Sequence, residues 1–242
     1  MPTPRYEGVL SEYAGIEASL AAPAVLRDHL RARRLRRCLA ELEPLHAAAV
    51  RLRAVENDLA AAVELAWEAE AERLSAQAAE LRDDLASRLA VRDSRDPFDV
   101  IVFLEGSAQS IALPARRYRD LAQERGWDVQ DLGGAAFAIM AREGAEGPWA
   151  TFKSENGRRG DLPDVRVTVV PEGPDVPDPR PQDLRLDVHC TRRPEQPPYV
   201  WVTHLPSGIQ VRGTGTHPAE AKAAALRQLR ALLAAGHHRR RR

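Results

Sequence analysis

The sequence predicts an α+β protein in which an N-terminal helical hairpin or bundle precedes two small α+β domains, the last of them ordered β-β-β-α. Three observations predict it. Apolar residues recur at spacings of three and four through residues 5–92, the period of one helical face. Short apolar runs bounded by turn residues begin only after Pro97. Aromatic residues make up only 5% of a chain rich in Ala, Leu and Arg, a balance that favours helix over an all-β architecture, while 44% hydrophobic residues suffice for the cores.

The first stripe uses Tyr6, Val9, Leu10, Tyr13, Ile16 and Leu20, and Pro23 closes it. A second uses Leu26, Leu30, Leu35, Leu39 and Leu42, a third Leu52, Val55, Leu59 and Val63, and a fourth Leu74, Leu81, Leu85 and Leu89. Residues 1–95 therefore read as a helical domain, a hairpin or short coiled coil. Arg31, Arg33, Arg34, Arg36 and Arg37 crowd the second helix, either facing RNA or forming a solvated face paired with glutamates.

Residues 93–97 break the helical pattern, and residues 96–170 read as a separate α+β domain. Residues 100–104 (Val-Ile-Val-Phe-Leu) are a short buried strand, and 107–126 a helix ended by Gly126. Residues 137–140, 149–153 and 165–170 are expected as strands, and Gly133-Gly134 as a turn. Residues 171–182 carry Pro171, Pro174, Pro177, Pro179 and Pro181, too many for a helix or central strand, and read as an extended linker. In the last domain, residues 183–235, strands are expected at 184–189, 200–204 and 209–212, a turn at 205–208 and a helix over 219–233. A basic tail, 236–242, follows.

The net charge of zero conceals an asymmetry. Residues 183–242 hold eleven Lys/Arg against four Asp/Glu, and residues 1–182 hold twenty-four against thirty-one. A basic end on an acidic body suits contact with phosphate through that end, and a solvated basic tail gives the same arithmetic. No run approaches the roughly 20 apolar residues of a membrane span, and no signal pattern opens the chain, so a cytoplasmic protein without membrane contact is expected. Cys38 and Cys190 form no CxxC, and His189, His204 and His217 lack metal-ligand spacing. No phosphate loop, nucleotide fingerprint or nucleophile elbow is present, so neither a metal nor a small-molecule cofactor is expected.

Asp183-Leu-Arg-Leu-Asp187, followed by Val202-Thr-His-Leu-Pro-Ser-Gly-Ile209, resembles the hydrolytic domain of class I peptide chain release factors. Trp149-Ala-Thr-Phe-Lys-Ser-Glu-Asn-Gly157 is similar to that family's aromatic-x-x-Leu-Lys-x-Glu-x-Gly segment, and residues 165–172 to its strand before the linker. Tyr118 and Trp127 stand where a family Tyr and Trp bracket a helix end. Tyr13, residues 20–25 and residues 39–44 are similar to the helical first domain. The resemblance covers residues 5–235 in the family's domain order. It implies a factor acting in translation, with the ribosome as partner through rRNA and P-site tRNA, and a structural role for Thr203, His204, Leu205, Pro206 and Gly208.

What the resemblance leaves out is chemical. The family places Gly-Gly-Gln between the two hydrolytic-domain segments, because glycine reaches backbone angles that let the glutamine approach the ester. Residues 188–202 are shorter here than in the family pattern and contain no glycine. Gln196, the one surrogate candidate, lies between Pro194-Glu195 and Pro197-Pro198, where a residue before proline is driven to extended conformations. The long tripeptide-bearing loop that reads stop codons has only residues 158–164 in its place, and the chain ends shortly after the last helix, without the family's C-terminal part.

The sequence therefore implies a non-enzymatic, ribosome-binding relative without a catalytic residue. Arg192, Arg193, Arg212, Lys222, Arg227, Arg230, Arg239 and Arg240 are its candidate RNA phosphate contacts. Two alternatives stand beside it: codon-independent peptidyl-tRNA hydrolysis through Gln196, as in ribosome rescue, and a helical interaction protein no longer on the ribosome.

Overall fold

The computed structural model describes residues 5–142, 144–159, 162–173, 176, 178–189 and 197–236, and the chain divides into two compact units, 1–94 and 95–242. Among the described residues no helix is long and apolar enough to cross a membrane. The architecture is the α+β arrangement expected, with helices first and a β-β-β-α order last.

The first unit contains α1 (Arg5–Ala21), α2 (Pro23–Leu26), α3 (His29–Glu64) and α4 (Glu68–Val91). Helices α1 and α4 both pack on α3 around Val9, Leu42, Ala49, Leu52, Leu74, Ala78 and Leu85. The second stripe from Leu30 onward and the third, expected as separate helices, are one helix of 36 residues, while Leu26 ends α2. Pro44 lies inside it and removes one intrahelical donor, but Leu42, Leu45 and Ala49 carry the buried face straight through, so packing overrides the local break. Asp28 caps α3 by accepting the Arg31 amide at 3.0 Å. Within the arginine cluster, Arg34 and Arg37 are buried on the Leu35–Cys38 side of α3, where their alkyl stems add to the core.

Among the polar ties that join the helices of this unit, two link several helices at once. Arg92 reaches Glu12 of α1 at 2.9 Å and Glu41 of α3 at 3.2 Å, and both carboxylates push its guanidinium further toward the charged form. Tyr6 of α1 donates its hydroxyl to Glu56 of α3, which also takes Arg82 of α4 at 2.8 Å. The hydrogen bond to Glu56, then burial, push the Tyr6 hydroxyl up to about 12.

The second unit holds two antiparallel sheets. The larger has the order β2-β3-β1-β5-β4, from β1 (Asp99–Glu105), β2 (Asp128–Gly133), β3 (Ala136–Met140), β4 (Gly157–Arg159) and β5 (Leu162–Glu172). The smaller is β6 (Leu184–His189), β7 (Tyr199–His204) and β8 (Ile209–Thr214), with β7 in the middle. Three helices serve them: α5 (Ala108–Glu124), α6 (Pro148–Phe152) and α7 (Pro218–Ala234). The run Val100-Ile101-Val102 is fully buried because the large sheet is covered on both faces. Tyr118 and Ala122 of α5, with Trp149 and Phe152 of α6, close one face, and Ala224 and Ala231 of α7 close the other.

Residues 149–153, expected as a strand, lie in and just after α6. Gly147 is extended before it, Pro148 presets the first helical turn, and Trp149 and Phe152 meet one core at a helical spacing. Pro171 and Glu172, placed by their composition in the linker, finish β5 against Val100 and Asp99. The short strand β4 pairs no further along β5 than Val167, so the missing amide of Pro171 breaks no ladder.

Helix α7 is shared. Its Ala224 and Ala231 meet the large sheet, and its Ala221, Ala225 and Leu229 meet Val200, Val202, Ile209 and Val211 of the small one. It crosses β8 so closely that a Cβ on Gly213 would come within 2.0 Å of the Ala221 carbonyl. Arg227 holds Glu172 of β5 through two bonds of 2.6 Å and also reaches Gln130 of β2. Gln228 donates to the Leu132 carbonyl at 3.0 Å and to the Arg212 carbonyl at 2.9 Å, tying β2 to β8.

Two outcomes are expected. Arg227→Ala takes from buried Glu172 its two guanidinium bonds and should cost about 3–5 kcal/mol in urea unfolding, most of it recovered in an Arg227→Met/Glu172→Leu double variant. Tyr6 contributes fully below its ordinary value near 10, and that contribution disappears as pH climbs from about 10 to about 12. Unfolding followed through the exposed Trp67 should lose stability across that window, and Tyr6→Phe should flatten the dependence.

Candidate functional site

The C-terminal β-β-β-α module is where the sequence places its functional residues. Strand β7 runs from Tyr199, beside residues 190–196, to His204, beside the Thr-His-Leu-Pro-Ser-Gly turn. At about 3.4 Å per residue these two ends lie about 17 Å apart.

The turn is a self-contained structure. His204 Nδ1 and Ser207 Oγ are 2.7 Å apart, and the Ile209 amide donates to the same Oγ at 3.3 Å. The Gly208 amide donates to the His204 carbonyl at 2.8 Å, and Gly208 adopts φ +68°, the left-handed value that glycine takes without strain. The Leu205 amide donates to the Asp183 carbonyl at 2.8 Å, which anchors the turn to the start of β6, while the Leu205 and Pro206 side chains stay exposed. Thr203 pairs in register with Arg185 and Gln210.

Among the described residues, the candidate phosphate contacts Arg212, Lys222, Arg227 and Arg230 do not form one patch. Arg227 is 8% exposed and spends its guanidinium on Glu172 and Gln130, so it is a structural residue of α7. Arg230 pairs with Asp178 at 3.0 Å, and Lys222 is exposed on the first half of α7. Arg212 lies on β8, on the sheet face turned away from α7. Gln196, Arg192, Arg193, Arg239 and Arg240 lie outside the described residues, as does Cys190, while Cys38 is buried in α3. Among the described residues no cluster of His, Cys, Asp and Glu is arranged to hold a metal.

The face of the small sheet away from α7 carries side chains that the charge and motif reading did not single out as a group. Val200, Val202, Ile209 and Val211 point to α7, so their neighbours Tyr199, Trp201, Thr203, Gln210 and Arg212 point the other way, with Arg185, Asp187 and His189 of β6 beside them. The His189 and Tyr199 rings stack with centroids 4.6 Å apart and planes 15° from parallel. The Arg212 guanidinium carbon lies 4.2 Å from the Tyr199 centroid, a cation–π contact. The signal for this face was the alternation Tyr-Val-Trp-Val-Thr in β7, whose first and third members are rings and whose even members are core valines.

The strands on either side of residues 160–161 also have a defined geometry. Strands β4 and β5 pair directly, Gly157 with Val167, Arg158 with Arg166 and Arg159 with Leu162. Around them the residues of the Trp149–Gly157 resemblance converge. Tyr118 donates to Glu155 at 3.1 Å, Phe152 meets the edges of the Tyr118 and Trp127 rings, and Asn156 accepts the Val169 amide at 2.7 Å.

No protein-family model matches the chain. Individual curated proteins do. The chain is 36% identical over 246 aligned positions to the protein named peptide chain release factor 1 of Acidothermus cellulolyticus, spanning 85% of this chain and 67% of that one. It is 33% identical over 276 positions to the protein of that name from Thermobifida fusca, spanning 96% and 78%. With the Rhodococcus jostii protein of that name it shares 32% over 248 positions, 85% of this chain and 69% of that one.

Proposed function

The chain belongs to the peptide chain release factor family, and from that membership we propose that it binds the ribosome in the A-site region without hydrolysing peptidyl-tRNA and without reading stop codons. Its role is in translation. The observation that carries the finer reading is the composition of residues 188–202, which hold no glycine and enclose Gln196 between prolines.

Ester hydrolysis needs a water aligned with the carbonyl and donors aimed at the developing oxyanion. The residue before Pro197 is restricted to extended conformations, and Pro197 itself has no amide to donate. His204 supplies no substitute, because it is bonded to Ser207 at the far end of β7. The direct pairing of β4 with β5 supports the absence of codon reading, since the connection is too short to carry an extended recognition loop. A factor of this kind would act in the cytoplasm, occupying ribosomes rather than discharging them.

Cosedimentation with ribosomes should succeed at low salt and fall about ten- to a hundredfold as monovalent salt rises fourfold, as expected when a few phosphates are neutralised; retention flat across salt, or a protein left in the supernatant throughout, would contradict ribosome placement through RNA. Added to ribosomes carrying peptidyl-tRNA, the protein is expected to leave nascent chains attached at the spontaneous rate. Release that disappears in Gln196→Ala would instead establish the rescue hydrolase reading.

A further inference from the structure

We infer that the open face of the β6-β7-β8 sheet binds unpaired RNA, with a base continuing the ring column Arg212–Tyr199–His189 on the free side of His189 and Trp201 offering a second stacking surface. The inference deepens the ribosomal reading by naming the ligand class and the side chains that meet it. It begins from the strand order. Tyr199 sits on the central strand, so His189 of β6 approaches it from one side and Arg212 of β8 from the other. Both flanks of the Tyr199 ring are thereby used.

His189 ends the column. It is exposed, and β6 is an outer strand paired only with β7, so nothing among the described residues covers the far side of its ring. A nucleobase stacking there adds one member to a column already aligned, and the protein pays little ordering cost. Trp201, half-buried, pairs directly with Asp187 of β6 and Arg212 of β8 on the same face. Its indole is the residue type expected in a core, yet it points away from α7 and its valines.

Charge selects nucleic acid over an apolar peptide. Arg185 is answered by Asp187 at 3.2 Å, but Arg212 has no carboxylate partner among the described residues, and its Nε finds no acceptor. A cation held over the Tyr199 ring, beside exposed His189 and half-buried Trp201, presents a positive potential and π-faces together, the combination that recognises a single strand. A duplex keeps its base faces stacked inside and cannot use the column end.

The test measures a labelled oligoadenylate RNA of about a dozen nucleotides by anisotropy, with tryptophan fluorescence in a Trp67→Phe background as the second readout. Trp127 and Trp149 are buried, so quenching in that background reports Trp201. Binding with quenching is expected, and a duplex RNA of similar length should bind without it. His189→Ala and Trp201→Leu should each weaken the single strand about five- to a hundredfold, whereas His189→Phe, which keeps the ring, should bind as the parent does.

These side chains are at least partly exposed and do not face α7, and an unchanged unfolding curve verifies that each variant is folded. Oligoadenylate binding that leaves Trp201 unquenched, or that survives His189→Ala and Trp201→Leu unchanged, overturns the inference. Ribosome cosedimentation run in parallel separates the two ideas. A parent that pellets with ribosomes but ignores the single strand removes the stacking face alone, and one that binds and quenches on the single strand yet stays in the supernatant removes the ribosomal reading alone.

Discussion

Helix α7 has to satisfy two sheets at once, and the second unit is organised around that demand. Where α7 approaches the two sheets most closely it presents mainly small residues, Ala221, Ala224, Ala225 and Ala231, with Leu229 filling the space over the small sheet, and β8 answers with Gly213. Close packing of small residues leaves little apolar area per contact, and the polar side chains supply the registration. Arg227 is fixed by Glu172, Gln228 bridges the Leu132 and Arg212 carbonyls, and together they set the rotation and height of the helix. Each would be costly to bury alone and is tolerated because its partner is built in.

The same arrangement explains what the sequence made legible and what it did not. The helical stripes, the strand at 100–104 and the β-β-β-α order followed from periodicity, because one-sided burial leaves a period in the chain. Residues 149–153 were misjudged because aromatic and β-branched content was weighed above Pro148, whose fixed φ starts a helix. The division of α3 was misjudged because the apolar stripes were taken as separate, the second ending at Leu42 and the third beginning at Leu52, whereas Leu45 and Ala49 carry the buried face between them. Arg227 joined the candidate phosphate contacts because a lone arginine on a helix looks solvated, and only the sheet it faces discloses Glu172, 55 positions away.

The residues that carry the family resemblance turn out to be largely scaffold. Tyr118, Trp127, Trp149 and Phe152 share one core, Glu155 fastens that core to α5, and the Thr-His-Leu-Pro-Ser-Gly turn closes on itself through His204, Ser207 and Gly208. A resemblance resting on such residues transmits the fold faithfully. It says much less about chemistry, which in this family is assigned to glycines and a glutamine that residues 188–202 do not reproduce.

That separation between scaffold and chemistry bears on how the small sheet could serve a new purpose. Its α7 face is constrained by packing, since Val200, Val202 and Val211 cannot change without opening the core. Its other face is free of that constraint, and there β7 carries Tyr199 and Trp201 where solubility alone would favour polar residues. Rings on a half-exposed strand face raise the tendency of a sheet to associate, so their retention needs compensation. Stacking against His189 and Arg212 supplies part of it, by covering ring surface with polar groups that remain hydrated at their edges. The remaining ring surface of Trp201 and the outer side of His189 is what a stacked base would cover, and on that argument the RNA contact inferred above belongs on the free face rather than at the motif turn.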